Sequence, residues 1–222
     1  MSSYGQFCPV AKAMEVLDER WPLLVVRELL AGSTRFNELR RGNPRMSPAL
    51  LSKRLRTLER VGVVRREMVD SHASYTLTES GKELNDIVMA LGAWGIRWIG
   101  ELGDEDLDPH LLMWDMKRTV PAQEWPDSRT VLSIRFDDVP ARVAGWWLVS
   151  SAGEVDICDF DPGFETTASV RTSLRAFIGV WRGDRSWEQA MGDGSVVVDG
   201  PAHVRRSFPR WVGQGQFSTV NR

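Results

Sequence analysis

The pattern of apolar and polar positions between Ser47 and Val61 predicts an amphipathic helix. Leucines at positions 51, 55 and 58 recur at helical spacing and form one apolar stripe. Ser47-Pro48 is typical of a helix start, because serine caps free amide groups and proline is favoured at the first helical position. Gly62 is typical of its end. Small, hydroxyl and basic side chains lie on or beside the opposite face, at Ala49, Ser52, Lys53, Arg56, Thr57 and Arg60.

Shorter apolar patterns flank this helix. Before it, Phe36 and Leu39 predict a short helix over about residues 35–41, which Gly42-Asn43-Pro44 ends. After it, residues 63–69 and 74–77 favour strands, and the polar residues 70–73 between them predict a turn. A short helix, a turn and a basic helix form a helix-turn-helix, in which the second helix enters the DNA major groove. The hairpin would then be a wing, with its tip along the DNA backbone or minor groove.

A longer apolar stripe occupies residues 78–100. Thr78 predicts the helix cap, and apolar side chains then repeat at helical spacing, at Leu84, Ile87, Val88, Leu91, Trp94 and Trp98. A small domain covers only part of such a stripe, so the remainder requires a partner. We therefore expect a homodimer formed through this helix and a helix at Pro9–Leu17. The alternative is that the stripe packs against the second half of the chain.

Positive charge is concentrated around the same helix-turn-helix pattern. Residues 35–66 hold ten Arg and Lys against two Glu, a net charge of +8, whereas the whole chain carries −2. Such a patch favours a phosphate backbone as its partner; the alternative, a merely solvated surface, is disfavoured by the ordered helices and hairpin. The side chains expected to reach base edges are Ser52, Lys53 and Arg56. Further helix positions expected at DNA are Ser47, Ala49 and Thr57. Phosphate contacts are expected from Arg40, Arg41, Arg54, Arg60, Arg65, Arg66, Ser71, His72 and Ser74.

These residues resemble the HxlR-type winged helix-turn-helix regulators of bacteria, within the MarR-like superfamily. The resemblance covers about residues 7–100 and rests on residues 8–10 (CPV), 20–29 (RWPLLVVREL), 35–39 (RFNEL), 47–55 (SPALLSKRL) and 76–78 (TLT). It implies a homodimer on a pseudo-palindromic DNA operator, with base contacts from the helix that starts at Ser47 and backbone contacts from the hairpin around His72. It leaves the effector open, as well as the choice between repressor and activator.

The resemblance also implies a sensing role for a cysteine near the N-terminus. Some members of the family detect thiol-reactive compounds through a residue that matches Cys8. The position of Cys8 beside Pro9, at a helix start, favours a reactive thiol and makes it a candidate redox sensor. The alternative is a small apolar residue packed at the dimer helix.

Composition excludes several other classes of protein. No apolar run approaches the roughly 20 residues that span a membrane, and the N-terminus lacks a signal-peptide pattern, so we expect a cytoplasmic protein. Two cysteines and three scattered histidines form neither a disulfide framework nor a metal cluster. No nucleophile elbow, phosphate loop or cofactor motif is present, so the sequence predicts neither an enzyme nor a bound cofactor.

The second half of the chain has a different character. Residues 1–98 carry a net charge of +4 and residues 99–222 a net charge of −6. The acidic, glycine-containing residues 101–109 predict a linker between a DNA-binding and dimerisation domain at 1–100 and a second domain at 110–222. There we expect strands at 130–136, 145–149, 155–160 and 195–198, and helices from Asp108-Pro109 and at 169–181, 186–191 and 201–208. The predicted fold class is α+β, with a mostly helical first domain.

This second domain resembles, on less specific motifs, sterol-carrier-protein-type-2-like domains. The resemblance covers about residues 110–213 and is carried by residues 167–174, 181–184 (WRGD), 187–190 (WEQA) and 194–200 (GSVVVDG). It implies an apolar tunnel for a hydrophobic small molecule, either as an effector of DNA binding or in a separate carrier or enzymatic role. The candidate pocket residues are Trp114, Trp146, Trp147, Phe177 and Trp181. The alternative is that these aromatic side chains belong to an ordinary core.

Overall fold

The computed structural model describes residues 3–221 and contains two units, the first ending at Trp94 and the second beginning at Gly95. The elements that begin in the first unit are α1 (Pro9–Leu17), α2 (Pro22–Leu30), α3 (Phe36–Arg41), α4 (Pro48–Arg60), β1 (Val64–Val69), β2 (His72–Leu77) and α5 (Glu79–Trp98). The helices predicted at Pro9–Leu17, 35–41, 47–61 and 78–100 are therefore confirmed.

Local signals in the sequence explain where α4 and α5 begin. The Ser47 hydroxyl accepts a hydrogen bond from the Leu50 amide at 3.3 Å, and the Thr78 hydroxyl accepts one from the Gly81 amide at 3.2 Å. Gly81 also permits a close approach, because a Cβ at this position would lie 2.2 Å from the Val63 carbonyl oxygen. The first turn of α5 is thereby held against the chain that leads into β1.

The core of the first unit lies between α2, α3, α4 and β1. Its buried apolar residues are Val25, Val26, Leu29, Leu39, Met46, Leu51, Leu55, Leu58, Val63 and Val64. The predicted leucine stripe of α4 supplies three of these side chains, so packing fixes which side of α4 faces outward. In contrast, α1 has no buried residue, and Gly81 is the only buried residue of α5 among those described.

The hairpin of β1 and β2 has a tighter turn than predicted. Val69 pairs with His72, which leaves only Asp70 and Ser71 in the turn, with φ values of 50° and 63°. Two successive positive φ values are typical of a type I′ turn, whose twist matches that of the two strands. His72 and Ala73 therefore belong to β2. The Tyr75 amide also donates to the Thr34 carbonyl at 2.8 Å, which ties β2 to the chain before α3.

The second unit is a five-stranded sheet with helices on one face. Its elements are α6 (Pro109–Thr119), β3 (Thr130–Phe136), β4 (Gly145–Ser151), β5 (Glu154–Cys158), β6 (Ala168–Thr172), α7 (Leu174–Trp181), α8 (Trp187–Gly192), β7 (Val196–Asp199) and α9 (Ala202–Val212). The strand order is β5-β4-β3-β6-β7. The pair β3 and β6 is parallel and the other pairs are antiparallel. This arrangement confirms the α+β class.

Two expectations for this half differ from the structure. The helix predicted at 169–181 begins only at Leu174, because residues 168–172 form β6, with Ala168, Val170 and Thr172 buried on alternate positions. The predicted linker contains a 3₁₀ turn at Asp104–Asp106, and the Arg175 guanidinium donates to the Leu102 carbonyl at 3.0 Å. Part of the segment is thus bonded within the second unit.

No helix among residues 3–221 is both long enough and apolar enough to cross a membrane.

Candidate nucleic-acid interface

One side of α4 is buried and the other carries cations. Leu51, Leu55 and Leu58 are each at most 2% exposed. The basic face of α4 comprises the exposed Ala49, Lys53, Arg56 and Arg60 with the half-buried Ser52 and Thr57. Ser47 is exposed, and its hydroxyl is engaged in capping the helix. The helix therefore presents its basic face outward while its leucines hold it in the core.

Several cations around this face have no acidic partner. Within residues 3–221, no carboxylate pairs with the exposed Lys53 and Arg56 on α4, with Arg40 at the end of α3, or with Arg66 on β1. Arg60 donates to the Thr57 hydroxyl at 3.4 Å, and Arg65 lies 3.7 Å from the Glu67 carboxylate. Arg41 is exposed beside Arg40. Like charges held at one surface repel each other, and a bound polyanion relieves that repulsion.

Arg54 departs from the predicted set of phosphate contacts. Its guanidinium lies on the leucine side of α4, and the residue is only 8% exposed. Arg54 forms an ion pair with Glu19, and its Nε donates to the Arg20 carbonyl at 3.1 Å. The expected contact of Arg54 with a phosphate is therefore corrected: the side chain is turned inward and bonded to the connection between α1 and α2.

The hairpin tip is held by contacts from His72 and from Arg35, the residue before α3. His72 is exposed, and its Nδ1 lies 2.7 Å from the Asp70 carbonyl oxygen. A carbonyl oxygen only accepts, so Nδ1 carries the proton and Nε2 is the ring nitrogen left for another partner. The Arg35 guanidinium donates to the carbonyls of Val69 and His72 at 3.4 Å each. Ser74 is half-buried where β2 meets Arg35, so it is less accessible than the tip.

Apolar side chains remain exposed on the two helices that lack buried side chains. Along α5, Ile87, Leu91, Trp94 and Trp98 follow at helical spacing, and all four are exposed. On α1, Val10 and Met14 are exposed one turn apart. A contiguous exposed apolar stripe of this kind is characteristic of a protein–protein interface.

The first unit matches a known family of regulators. The family model for the HxlR-like helix-turn-helix matches residues 16–102. The uncharacterised HTH-type transcriptional regulator YvaP of Bacillus subtilis is 39% identical over 99 residues, which span 43% of this chain and 92% of the relative. The chain belongs to the HxlR-like helix-turn-helix family.

Other similarities to transcriptional regulators cover a similar share of the chain. An uncharacterised HTH-type transcriptional regulator of Synechocystis, sll1512, is 33% identical over 98 residues, spanning 43% of this chain and 73% of the relative. The reduced form of the transcriptional regulator YodB from Bacillus subtilis shares 32% identity over 45% of this chain and 100% of that chain, with a TM-score of 0.38. Because the HxlR-like match ends at residue 102, it describes the first unit and leaves most of the second unit outside.

Cys8 lies before the residues that match the HxlR-like family. It is half-buried and occupies the N-cap position of α1, where its side chain makes no capping hydrogen bond. The second cysteine, Cys158, is also free and lies in the second unit, where burial raises the pKa of its thiol.

Three of the candidate pocket residues in the second unit are packed in its core. Phe177 makes edge-to-face contacts with Phe136 and Trp187, and Trp146 and Trp181 are each 5% exposed. The Trp181 indole donates to the Asp115 carboxylate at 2.8 Å. Trp114 and Trp147 are half-buried. A surface cavity of about 360 Å³ lies elsewhere in this unit and is lined by Gly100, Glu101, Leu102, Arg175, Gly179 and Asp184.

Proposed function

We propose that this protein is a DNA-binding transcriptional regulator that inserts α4 into the major groove of double-stranded DNA. The observation that carries the proposal is the basic face of α4, whose exposed Lys53 and Arg56 have no acidic partner among residues 3–221. The major groove admits one α-helix, and Arg and Lys read guanine there while hydroxyl groups read several bases. Membership of the HxlR-like family supports the same function.

The proposed contacts divide into those with base edges and those with phosphates. Ser52, Lys53 and Arg56 point outward from the middle of α4 and would reach base edges. Five exposed cations would neutralise phosphates: Arg40 and Arg41 at the end of α3, Arg60 at the end of α4, and Arg65 and Arg66 on β1. The β1–β2 hairpin acts as a wing that lies along the DNA backbone, with the exposed His72 beside its turn.

We propose a homodimer as the form that binds DNA. The exposed stripe of Ile87, Leu91 and Trp94 on α5, together with Val10 and Met14 on α1, would form the interface. A two-fold interface brings the same patch of both copies together and presents two α4 helices to two half-sites of an operator.

We propose no apolar effector in the second unit, because Trp146, Phe177 and Trp181 fill its core rather than line an opening.

The test is a selection of DNA from a random-sequence duplex pool, followed by fluorescence-anisotropy titrations on the selected duplex and a scrambled one. We expect tight binding to the selected duplex, with affinity that falls steeply as salt rises. Equal weak binding to both duplexes would contradict a sequence-specific regulator.

A further inference from the structure

Arg54 is a charged side chain at a core position of α4. It lies three residues after Leu51 and four before Leu58, both buried, so it shares their side of the helix. Burying a guanidinium away from water is costly unless its charge and its N–H groups find partners. The location of Arg54 is therefore stable only while those partners are in place.

Both partners of Arg54 come from the connection between α1 and α2. Glu19 supplies the carboxylate, and the Arg20 carbonyl accepts from Nε at 3.1 Å. Glu19 is nearly half exposed, with a side chain 46% accessible, whereas the Arg54 side chain is 10% accessible. The ion pair therefore connects the partly exposed segment between α1 and α2 to the buried, leucine side of α4.

The connection that holds Arg54 has a constrained backbone. Trp21 has φ 94°, a left-handed conformation that is strained for a non-glycine residue. Its carbonyl accepts from the Val25 amide at 3.0 Å at the start of α2, and the Arg20 guanidinium lies 5.1 Å above its indole ring. Residues 19–21 are thus held at the start of α2, and the bonds from Arg54 to Glu19 and Arg20 connect them to α4.

We infer that Arg54 and Glu19 are positioning residues, which set the orientation of α4 relative to α2 and thereby place Lys53 and Arg56 at the bases. This inference rests on the proposed DNA-binding function and gives Arg54 a role other than a phosphate contact. A small rotation of α4 moves both base-reading side chains together, whereas contacts with phosphates are less demanding of geometry. Loss of the pair should therefore weaken specific binding more than non-specific binding.

The deciding experiment compares Glu19→Gln with Glu59→Gln, an exposed acid at the end of α4. Each variant removes one negative charge from the first unit, which by electrostatics alone raises affinity for any DNA. Affinity for the selected duplex and for the scrambled duplex is measured by anisotropy. We expect Glu19→Gln to lose on the order of tenfold in specific affinity with no loss on scrambled DNA. Glu59→Gln should lose on neither.

The ratio of the two affinities separates positioning from loss of folding. Partial unfolding lowers both affinities by the same factor, so it leaves the ratio unchanged. As a second variant, Arg54→Met should lower the ratio and leave the salt dependence of non-specific binding as in wild type. A phosphate contact would instead reduce that slope by about 0.9.

The outcomes distinguish this inference from the proposed function. A wild-type protein that does not discriminate between the duplexes overturns both. A wild-type protein that discriminates, with Glu19→Gln behaving as Glu59→Gln does, overturns the positioning role alone.

Discussion

The cations at the centre of the basic face of α4 differ from several cations of the second unit, which pair with carboxylates. In the second unit, Lys117 pairs with Asp156 at 2.6 Å and Arg210 with Glu124 at 3.0 Å. Hydrogen bonds from Ser195 and Arg185 likewise lower the pKa of the Asp193 carboxyl to about 2. In the described part of the first unit, Lys53 and Arg56 have no carboxylate partner. Exposed ion pairs add little stability, so the difference concerns function: an unpaired cation remains available to an external anion.

The apolar side chains of α9 and of α5 also differ in how far they are buried. The eleven residues of α9 include the buried Val204, Phe208, Trp211 and Val212. The twenty residues of α5 include only the buried Gly81, although the helix carries an apolar stripe. The apolar side chains of α9 are therefore covered within the second unit, whereas the apolar stripe of α5 remains largely exposed.

The prediction with the largest expected effect concerns stability, and it tests whether the core of the second unit is closed. Phe177→Ala removes a fully buried ring that contacts Phe136 and Trp187, and the cavity left behind should cost about 3–5 kcal/mol of unfolding free energy. Denaturant unfolding followed by tryptophan fluorescence measures it. Phe160→Ala, at a phenylalanine 65% exposed in the same unit, should change stability by about 0.5 kcal/mol or less. Equal effects of the two substitutions would contradict a closed core.

The next prediction tests the exposed cations on the basic face of α4. Lys53→Ala or Arg56→Ala should each cost about 1–3 kcal/mol of specific DNA-binding free energy if the side chain reads a base. Lys117→Ala removes a cation that is already paired in the second unit and should leave DNA affinity unchanged. Anisotropy titrations on selected and scrambled duplexes provide the measurement. Wild-type affinity in both α4 variants would show that the basic face is not the DNA-reading surface.

A smaller effect, on dimerisation, is expected from a substitution in the exposed apolar stripe of α5. Leu91→Ser should cost about 1 kcal/mol per protomer at a dimer interface, because the side chain is now about half exposed and would be buried by the partner. The dimer dissociation constant should rise on the order of tenfold or more, as measured by sedimentation equilibrium. Asn85→Ser, an exposed polar position on another side of α5, serves as the control. If both variants dimerise like wild type, the interface lies elsewhere.

The two faces of α4 could be predicted because local signals determine them. The leucine spacing, the Ser47 cap and the basic residues between the leucines are all contained in fifteen residues. The inward direction of Arg54 had a signal too, since it falls at the same helical spacing as Leu51 and Leu58. Its partner could not be predicted, because Glu19 lies 35 residues earlier in the chain and only the fold brings the two together.

Longer-range structure explains the errors in the second half. Val170 fits the helical spacing of Leu174 and Phe177, but it pairs with Val198 in the sheet and with Ile134 on β3. Parallel pairing with a strand more than thirty residues away overrides the local helical pattern. Composition likewise does not separate a core tryptophan from a pocket tryptophan. The indole of Trp181 is satisfied by Asp115, which no sequence spacing indicates.

The smallest expected effect concerns a two-residue hairpin turn, which occurs once in each unit among the described residues. The β4–β5 hairpin turns at Ala152-Gly153, with φ values of 53° and 80°, as the β1–β2 hairpin turns at Asp70-Ser71. The second unit therefore uses glycine where the first unit holds a serine in a left-handed conformation, which costs roughly 1 kcal/mol. Ser71→Gly should stabilise the first unit by about 0.5 kcal/mol once the greater freedom of the unfolded chain is counted.

Gly153→Ser is the matched reverse substitution. No atom lies within 4 Å of a Cβ at Gly153, so its cost should arise from the backbone alone and be similar in size to the gain from Ser71→Gly. Thermal unfolding of both variants, with DNA titration of Ser71→Gly, decides between two reasons for the serine. A more stable variant with weaker DNA binding means that the serine hydroxyl is retained for a phosphate contact. If Ser71→Gly gains nothing while Gly153→Ser loses stability, the serine offsets its backbone strain within the hairpin, and the two turns are not equivalent.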